Sequence, residues 1–228
     1  MTTTARPGRA ASSSASAGRR SLRGRALPRR LTQLYVGLVL YGVSMALLVR
    51  SGLGVMPWDV LHQGLARHLG GTIGGWSILV GALVLLAWVP LRERPGVGTV
   101  SNVVVIGVAV DAALAVLAEP SAMPVRVALA VAGVALNAVA TAAYVGARLG
   151  PGPRDGLMTG LVRRTGRSVR LVRTAIEVVV VLAGWALGGT LGVVTLLYVL
   201  AIGPLVHVLL PLLVVPDAGA KGVVVTSP

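Results

Sequence analysis

The chain contains no cysteine. Disulfides and thiolate-held metals are therefore excluded, and three scattered histidines, His62, His68 and His207, supply a zinc site poorly. No metal and no cofactor is expected. Acidic residues number 7 in 228, and Lys221 is the single lysine beside an otherwise all-arginine basic complement. Nucleophile elbow, phosphate loop, HExxH and paired-cysteine motifs are all missing. An intramembrane enzyme would need convergent acid, base and nucleophile groups, so a protein without enzymatic activity is expected. Against these shortages stand 55% hydrophobic residues, a formal net charge of +14 and a mean hydropathy of +0.83. That composition is far too apolar for an ordinary soluble domain and points to an integral membrane protein.

One stretch occurs twice. Leu53-Gly54-Val55-Met56-Pro57-Trp58-Asp59-Val60-Leu61 continues through Gly64-Leu65, Arg67 and Gly70; Leu149-Gly150-Pro151-Gly152-Pro153-Arg154-Asp155-Gly156-Leu157 continues through Gly160-Leu161, Arg163 and Gly166. The copies align without a gap, and the same offset carries Gly37 onto Gly133, Thr99 onto Thr195 and Gly107 onto Gly203. Self-similarity on this scale fixes the build before any local reading.

Six apolar runs, at about 31–49, 73–91, 97–118, 125–145, 169–187 and 191–215, each approach the roughly 20 residues that cross about 30 Å of hydrocarbon. Three fall in each copy, giving a first repeat over 31–118 and a second over 125–215. An odd number of spans forces the second copy to enter the membrane the other way up. The expected fold is thus an all-α polytopic membrane protein of about six transmembrane helices, arranged as two inverted three-helix repeats. Arg92 and Arg94 lie between the second and third runs, and seven arginines from Arg148 to Arg173 surround the link between the fourth and fifth. Those sides, and with them both termini, should face the cytoplasm of a bacterial plasma membrane.

Residues 1–30 are rich in Ser, Ala, Gly and Arg and carry no acidic group. They should form a disordered cytoplasmic tail that touches anionic lipid, matched at the other end by a short tail over 216–228. A signal peptide is the alternative, but the first run spans a bilayer and lacks a small-x-small cleavage site. Without interleaved aromatics, specific nucleic-acid binding is not expected. The bilayer is the obligatory partner, a small solute or ion a candidate one, and a homo-oligomer stays open because glycine-rich spans pack equally well within or between chains.

Pro57 and Pro153 suit the first position of a helix, and Gly54 and Gly150 allow the sharp entry. Gly70 and Gly166 can end helices of about 12 residues, roughly 18 Å long and too short to cross. Each repeat therefore holds one short helix, lying at the interface or re-entering. Asp59 and Asp155 fall in its first turn, where a carboxylate complements the positive end of the dipole. They serve either as helix caps, paired to Arg67 and Arg163, or as groups lining a substrate or ion pathway. Gly64 and Gly160, mid-helix, cost roughly 1 kcal/mol against alanine, a cost intelligible where another helix packs closely. Asp111 and His207 take equivalent places in the two repeats and are candidate coupling groups. Glu177, four residues after Arg173, should form an intrahelical pair. Ser44, Asn102, Asn137 and Thr141 should join helices, and Trp76, Trp88 and Trp185 should anchor run ends at the interface.

In L-G-x-x-P-W-D with x-L-x-x-G-L, and in G-P-G-P-R-D-G-L-M-T-G-L, the chain resembles the YczE/YitT-like group of small bacterial membrane proteins over about residues 31–215. Gly203-Pro204 adds to the resemblance. The group implies a bundle described with five spans, one fewer than the charge alternation predicts, and supplies no substrate, cofactor or catalytic residue to carry over. The function expected is a small inverted-repeat secondary transporter or permease. The alternative is a non-transporting scaffold, regulator or substrate-binding subunit.

Overall fold

A computed structural model describes the backbone of residues 10–215 and the side chains from Leu27 onward, and among these residues every regular element is helical. In chain order the helices are α1 (Ala10–Ser51), α2 (Pro57–Leu69), α3 (Ile73–Leu91), α4 (Val97–Val116), α5 (Met123–Gly146), α6 (Pro153–Thr165), α7 (Val169–Ala186) and α8 (Val193–Leu213). Helix α1 begins well inside the stretch expected to be disordered. Pro28 is its only proline. Residues 1–9 and the tail over 216–228 lie outside the described residues.

Among the described residues, five helices are long and apolar enough to cross a membrane: Leu27–Ser51 within α1, and α3, α4, α5 and α8. The expected sixth, α7, is the exception. It forms over the anticipated residues but carries Arg170, Arg173 and Glu177 on one turn after another, so it is two-faced rather than uniformly apolar. Two of these charges, Arg173 and Glu177, line a cavity open to the surface and pair with each other there.

Helix α1 packs along α5 and against α4. Leu34, Leu38, Met45 and Leu48 interleave with Ile106 and Val110 of α4 and with Ala130 and Val134 of α5. Small residues set the approach: a Cβ at Gly37 would stand 2.9 Å from the Tyr144 amide nitrogen, and one at Gly42 would stand 2.8 Å from the Ile106 carbonyl oxygen. Asn137 donates to Ser44 Oγ across this seam at 2.9 Å and accepts from the Tyr198 hydroxyl at 2.8 Å, joining helices as expected.

The two short helices form where the repeated motif foresaw them. Each starts on its proline, with Met56 and Gly152 extended at the N-cap and no side-chain cap. Gly54 (φ 125°) and Gly150 (φ 132°) take positive dihedrals that favour glycine. The turns also leave no room for a side chain, because a Cβ at Gly54 would lie 2.8 Å from Thr195 Oγ1 and one at Gly150 would lie 2.7 Å from Thr99 Oγ1. Each entry loop is thereby held by the other half of the chain. The Gly98 N–H donates to the Leu149 carbonyl at 2.9 Å, the Val194 N–H to the Leu53 carbonyl at 3.2 Å, and the Thr99 hydroxyl to the Pro151 carbonyl at 2.8 Å.

Helix α2 packs on α7 and α6 on α3. Gly64 abuts the backbone of Gly184, and Gly160 abuts Leu91, where a Cβ would stand 3.0 Å away. Helix α6 is sealed further by Trp88, whose ring fills the space above Gly156 and whose Nε1–H donates to the Pro153 carbonyl at 3.0 Å. Trp88 is therefore a buried packing residue and not an interfacial anchor. Trp58, at the start of α2, clusters with Val84 and Trp88 of α3 and Val180 of α7. The N-terminus of α2 consequently lies deep among its neighbours, while its other end, from Arg67 to Gly70, is exposed.

Candidate functional site: a cavity where the short helices meet

Helix starts at Pro57 and Pro153 converge on a cavity of about 560 Å³. Its wall takes Trp58 and His62 from α2, Arg154 and Asp155 from α6, Tyr41 from α1, Tyr144 from α5, Asn102 from α4, Arg173 and Glu177 from α7, and Tyr198 and His207 from α8. Valine, isoleucine and leucine side chains supply much of the rest. The cavity is thus lined from both copies of the repeat.

Arg154 and Trp58 occupy the same motif position in the two copies, and here they meet: the guanidinium carbon stands 4.7 Å from the Trp58 ring centroid, a cation–π stack. Stacking occupies the face of the guanidinium and leaves its edge donors for other partners. No hydrogen bond or ion pair to another described residue engages them. Asp155, next in sequence, is exposed to the cavity. Burial pushes its carboxyl above the usual range, outweighing Arg154, the Gly152 N–H and Arg173, which all favour the charged form. Arg173 and Glu177 are a self-contained pair, Nε to Oε1 at 3.0 Å, as the spacing predicts.

Asp59 behaves differently from its counterpart. It is 1% exposed, and its Oδ1 accepts from His62 Nδ1 at 3.1 Å. Its Oδ2 has no partner among the described residues. Burial holds the His62 imidazole below its ordinary pKa, against the pull of the Asp59 hydrogen bond and charge. A neutral ring with hydrogen on Nδ1 fits that bond.

Neither aspartate pairs with the motif arginines. The Arg67 guanidinium donates to the Gly188 carbonyl beyond the end of α7 at 2.6 Å, and the Arg163 guanidinium donates to the Leu91 carbonyl at the end of α3 at 2.6 Å while pairing with Glu93 at 2.9 Å. Each arginine thus satisfies an orphan carbonyl at the negative end of a helix in the other repeat. Spacing along one helix suggested an internal pair; packing across helices offered a better acceptor. Asp111 is also not at the cavity. Its Oδ1 accepts the Gly74 N–H at 2.8 Å, capping the start of α3 from α4, whereas His207 at the equivalent position lines the cavity.

Of the residues singled out from sequence, Asp155 and His207 come together at the cavity, and Asp59 stands behind His62. Arg67, Arg163 and Asp111 serve as helix-end partners, and Gly54, Pro57, Gly64, Gly150, Pro153 and Gly160 shape the two short helices. Sequence reasoning passed over Arg154, Trp58, His62 and the three tyrosines. One signal was available: an aromatic in one copy exchanged for a cation in the other, at a motif position that the fold brings face to face.

All-helical among the described residues, with five apolar helices of membrane-crossing length, the chain is a multi-pass membrane protein. It belongs to DUF6198, a family of unknown function, which it matches over residues 28–211. It is 38% identical over 179 residues to an uncharacterized protein of Haemophilus influenzae, covering 78% of this chain and 82% of the relative. It is 34% identical over 184 residues to the uncharacterized membrane protein YczE of Bacillus subtilis, covering 80% and 86%. A further relative is the uncharacterized protein YyaS of Bacillus subtilis, at 26% over 182 residues. No solved structure matches the chain.

Proposed function

We propose that this chain is a small secondary transporter or permease, without enzymatic activity, built from two inverted repeats that enclose its substrate cavity. The observation that carries the reading is the cavity itself, lined from both repeats and entered by the N-termini of both short helices. Secondary transporters with inverted repeats bind substrate at the repeat interface near the midplane, at the ends of broken or short helices. A non-transporting scaffold would instead be expected to have the two short helices packed solid against each other.

The helix contacts support the inversion. The pairing of α1 with α4 has its counterpart in α5 with α8, and that of α2 with α7 in α6 with α3, while α1 and α5 pair with each other. The Gly98–Leu149 and Val194–Leu53 bonds are the same bond exchanged between halves. On this reading α7 is a sixth crossing, both short helices re-enter from opposite sides, and the arginine-rich ends face the cytoplasm of a bacterial plasma membrane.

One pairing breaks the symmetry and supplies a mechanism. Helices α3 and α4 pack closely, and a Cβ at Gly107 would stand 2.7 Å from the Gly74 carbonyl oxygen. Their counterparts α7 and α8 scarcely touch, and a Cβ at Gly203 would meet nothing within 4 Å. In alternating access the cavity is open between α7 and α8 and sealed between α3 and α4; exchanging the two conformations opens it to the other side. The test is flux in proteoliposomes under imposed ion and solute gradients. Transport that Arg154→Gln abolishes is expected. No movement of any solute or ion across a broad panel overturns the proposal.

A further inference from the structure

The cavity holds one unspent charge of each sign. Arg173 and Glu177 neutralise each other at 3.0 Å, His62 brings no charge, and Asp59 is enclosed behind it, outside the cavity wall. What remains is Arg154, its face covered by Trp58 and its edge donors turned to no described carboxylate, and Asp155, exposed to the same space without an ion-pair partner. Charges inside a membrane protein are costly unless paired. A ligand carrying only an anion would leave Asp155 without an ion pair, held only by the Gly152 N–H and the field of nearby arginines, and one carrying only a cation would leave Arg154 without one. The remaining wall is apolar and aromatic, with Trp58, Tyr144, Val103 and Ile202 among its residues.

Resting on the transporter reading, we infer that the cavity binds a small zwitterion with an apolar side chain, of the amino-acid kind, its carboxylate on the Arg154 guanidinium and its ammonium at Asp155. The arginine supplies a two-pronged donor for the carboxylate, the N-terminal ends of α2 and α6 reinforce the same sign, and the apolar wall receives the side chain. Trp58 holds the guanidinium flat, so that its edge and not its face is presented.

Binding to the purified full chain in nanodiscs tests this independently of flux. The probes are L-leucine, N-acetyl-L-leucine, which keeps only the negative charge, and L-leucinamide, which keeps only the positive one. L-Leucine should bind at least about tenfold more tightly than either, because each analogue strands a charge. Arg154→Gln should shift the preference toward leucinamide and Asp155→Asn toward N-acetyl-leucine, with both variants checked for a monodisperse, cooperatively melting state. Equal or tighter binding of a single-charge analogue to the unaltered chain overturns the inference, as does no binding of any of the three. Leucine binding without leucine flux would leave the site standing and count against transport. Flux of another solute without leucine binding would overturn the ligand class alone.

Discussion

Replacing Gly64 by alanine tests the seam on which α2 rests. The added methyl would overlap the Gly184 carbonyl oxygen and press on the Leu187 Cβ at 3.0 Å and the Gly184 carbonyl carbon at 3.2 Å. Two of these contacts are backbone, which cannot rotate away, so α2 and α7 must separate by roughly 1 Å to reach ordinary van der Waals distance. Forced overpacking of this sort costs about 1–3 kcal/mol. The separation also stretches the bond from the Thr190 N–H to Gln63 Oε1, 2.8 Å long, at about 1 kcal/mol. Alanine returns about 1 kcal/mol of helix propensity. The net expectation is a loss of about 1–3 kcal/mol. At about 2–4 °C per kcal/mol in a chain of this size, the melting midpoint in detergent, followed by tryptophan fluorescence at fixed scan rate, should fall by several degrees. Gly203→Ala is the matched control, because α8 has open space there; its midpoint should hold or rise. A Gly64→Ala midpoint at or above that of the unaltered chain, or equal falls in both variants, would refute the close-packing argument.

Stability should fall as pH drops below about 6.5, the ordinary histidine value. His62 is held below that value when folded, so the unfolded chain takes up the proton first; melting between pH 7.5 and 5.5 should show the decline, and His62→Gln should flatten it. Asp155 has the opposite sign: its raised value means that its stabilising share is lost as pH rises above about 3.8, and Asp155→Asn should melt higher at neutral pH. Single cysteines at His68 and Arg164, both exposed and both late in a short helix, should label from opposite faces of a sealed vesicle; labelling from one face would overturn the inversion. Arg163→Ala should cost about 1–2 kcal/mol by chemical or thermal melting, nearly all of it from the Leu91 carbonyl losing its donor, because the ion pair with Glu93, solvent-exposed on the arginine side, adds little.

Hydropathy and glycine–proline punctuation made the elements legible. Residues 73–91 read as a run and are α3 to the residue, and Pro57 and Pro153 start their helices because proline's missing N–H costs nothing at a first turn. The duplication predicted that equivalent elements recur, and α2 and α6 have equal length and equal starts. Partnership was less legible. Arg67 and Arg163 share a helix with an aspartate in sequence, yet reach carbonyls more than 70 residues away, since each lies at the far end of its short helix, beside the end of another helix, while Asp59 is enclosed and Asp155 faces the cavity.

Local physics, acting through composition and period, decides that this chain is membrane-embedded, helical and doubled, because the cost of exposing backbone in hydrocarbon leaves few alternatives. Tertiary structure alone decides which of the doubled residues differ in office. Asp59 is enclosed with His62 while Asp155 opens to a cavity; Asp111 caps a helix while His207 lines the same space. The motif is symmetric, but the packing around it is not: α3 and α4 are closed where α7 and α8 are apart. Asp59 is sealed because Trp58, Val60 and His62 of α2 are buried around it, and Asp155 is free because its side of α6 faces the cavity, although the two motifs share the same spacing.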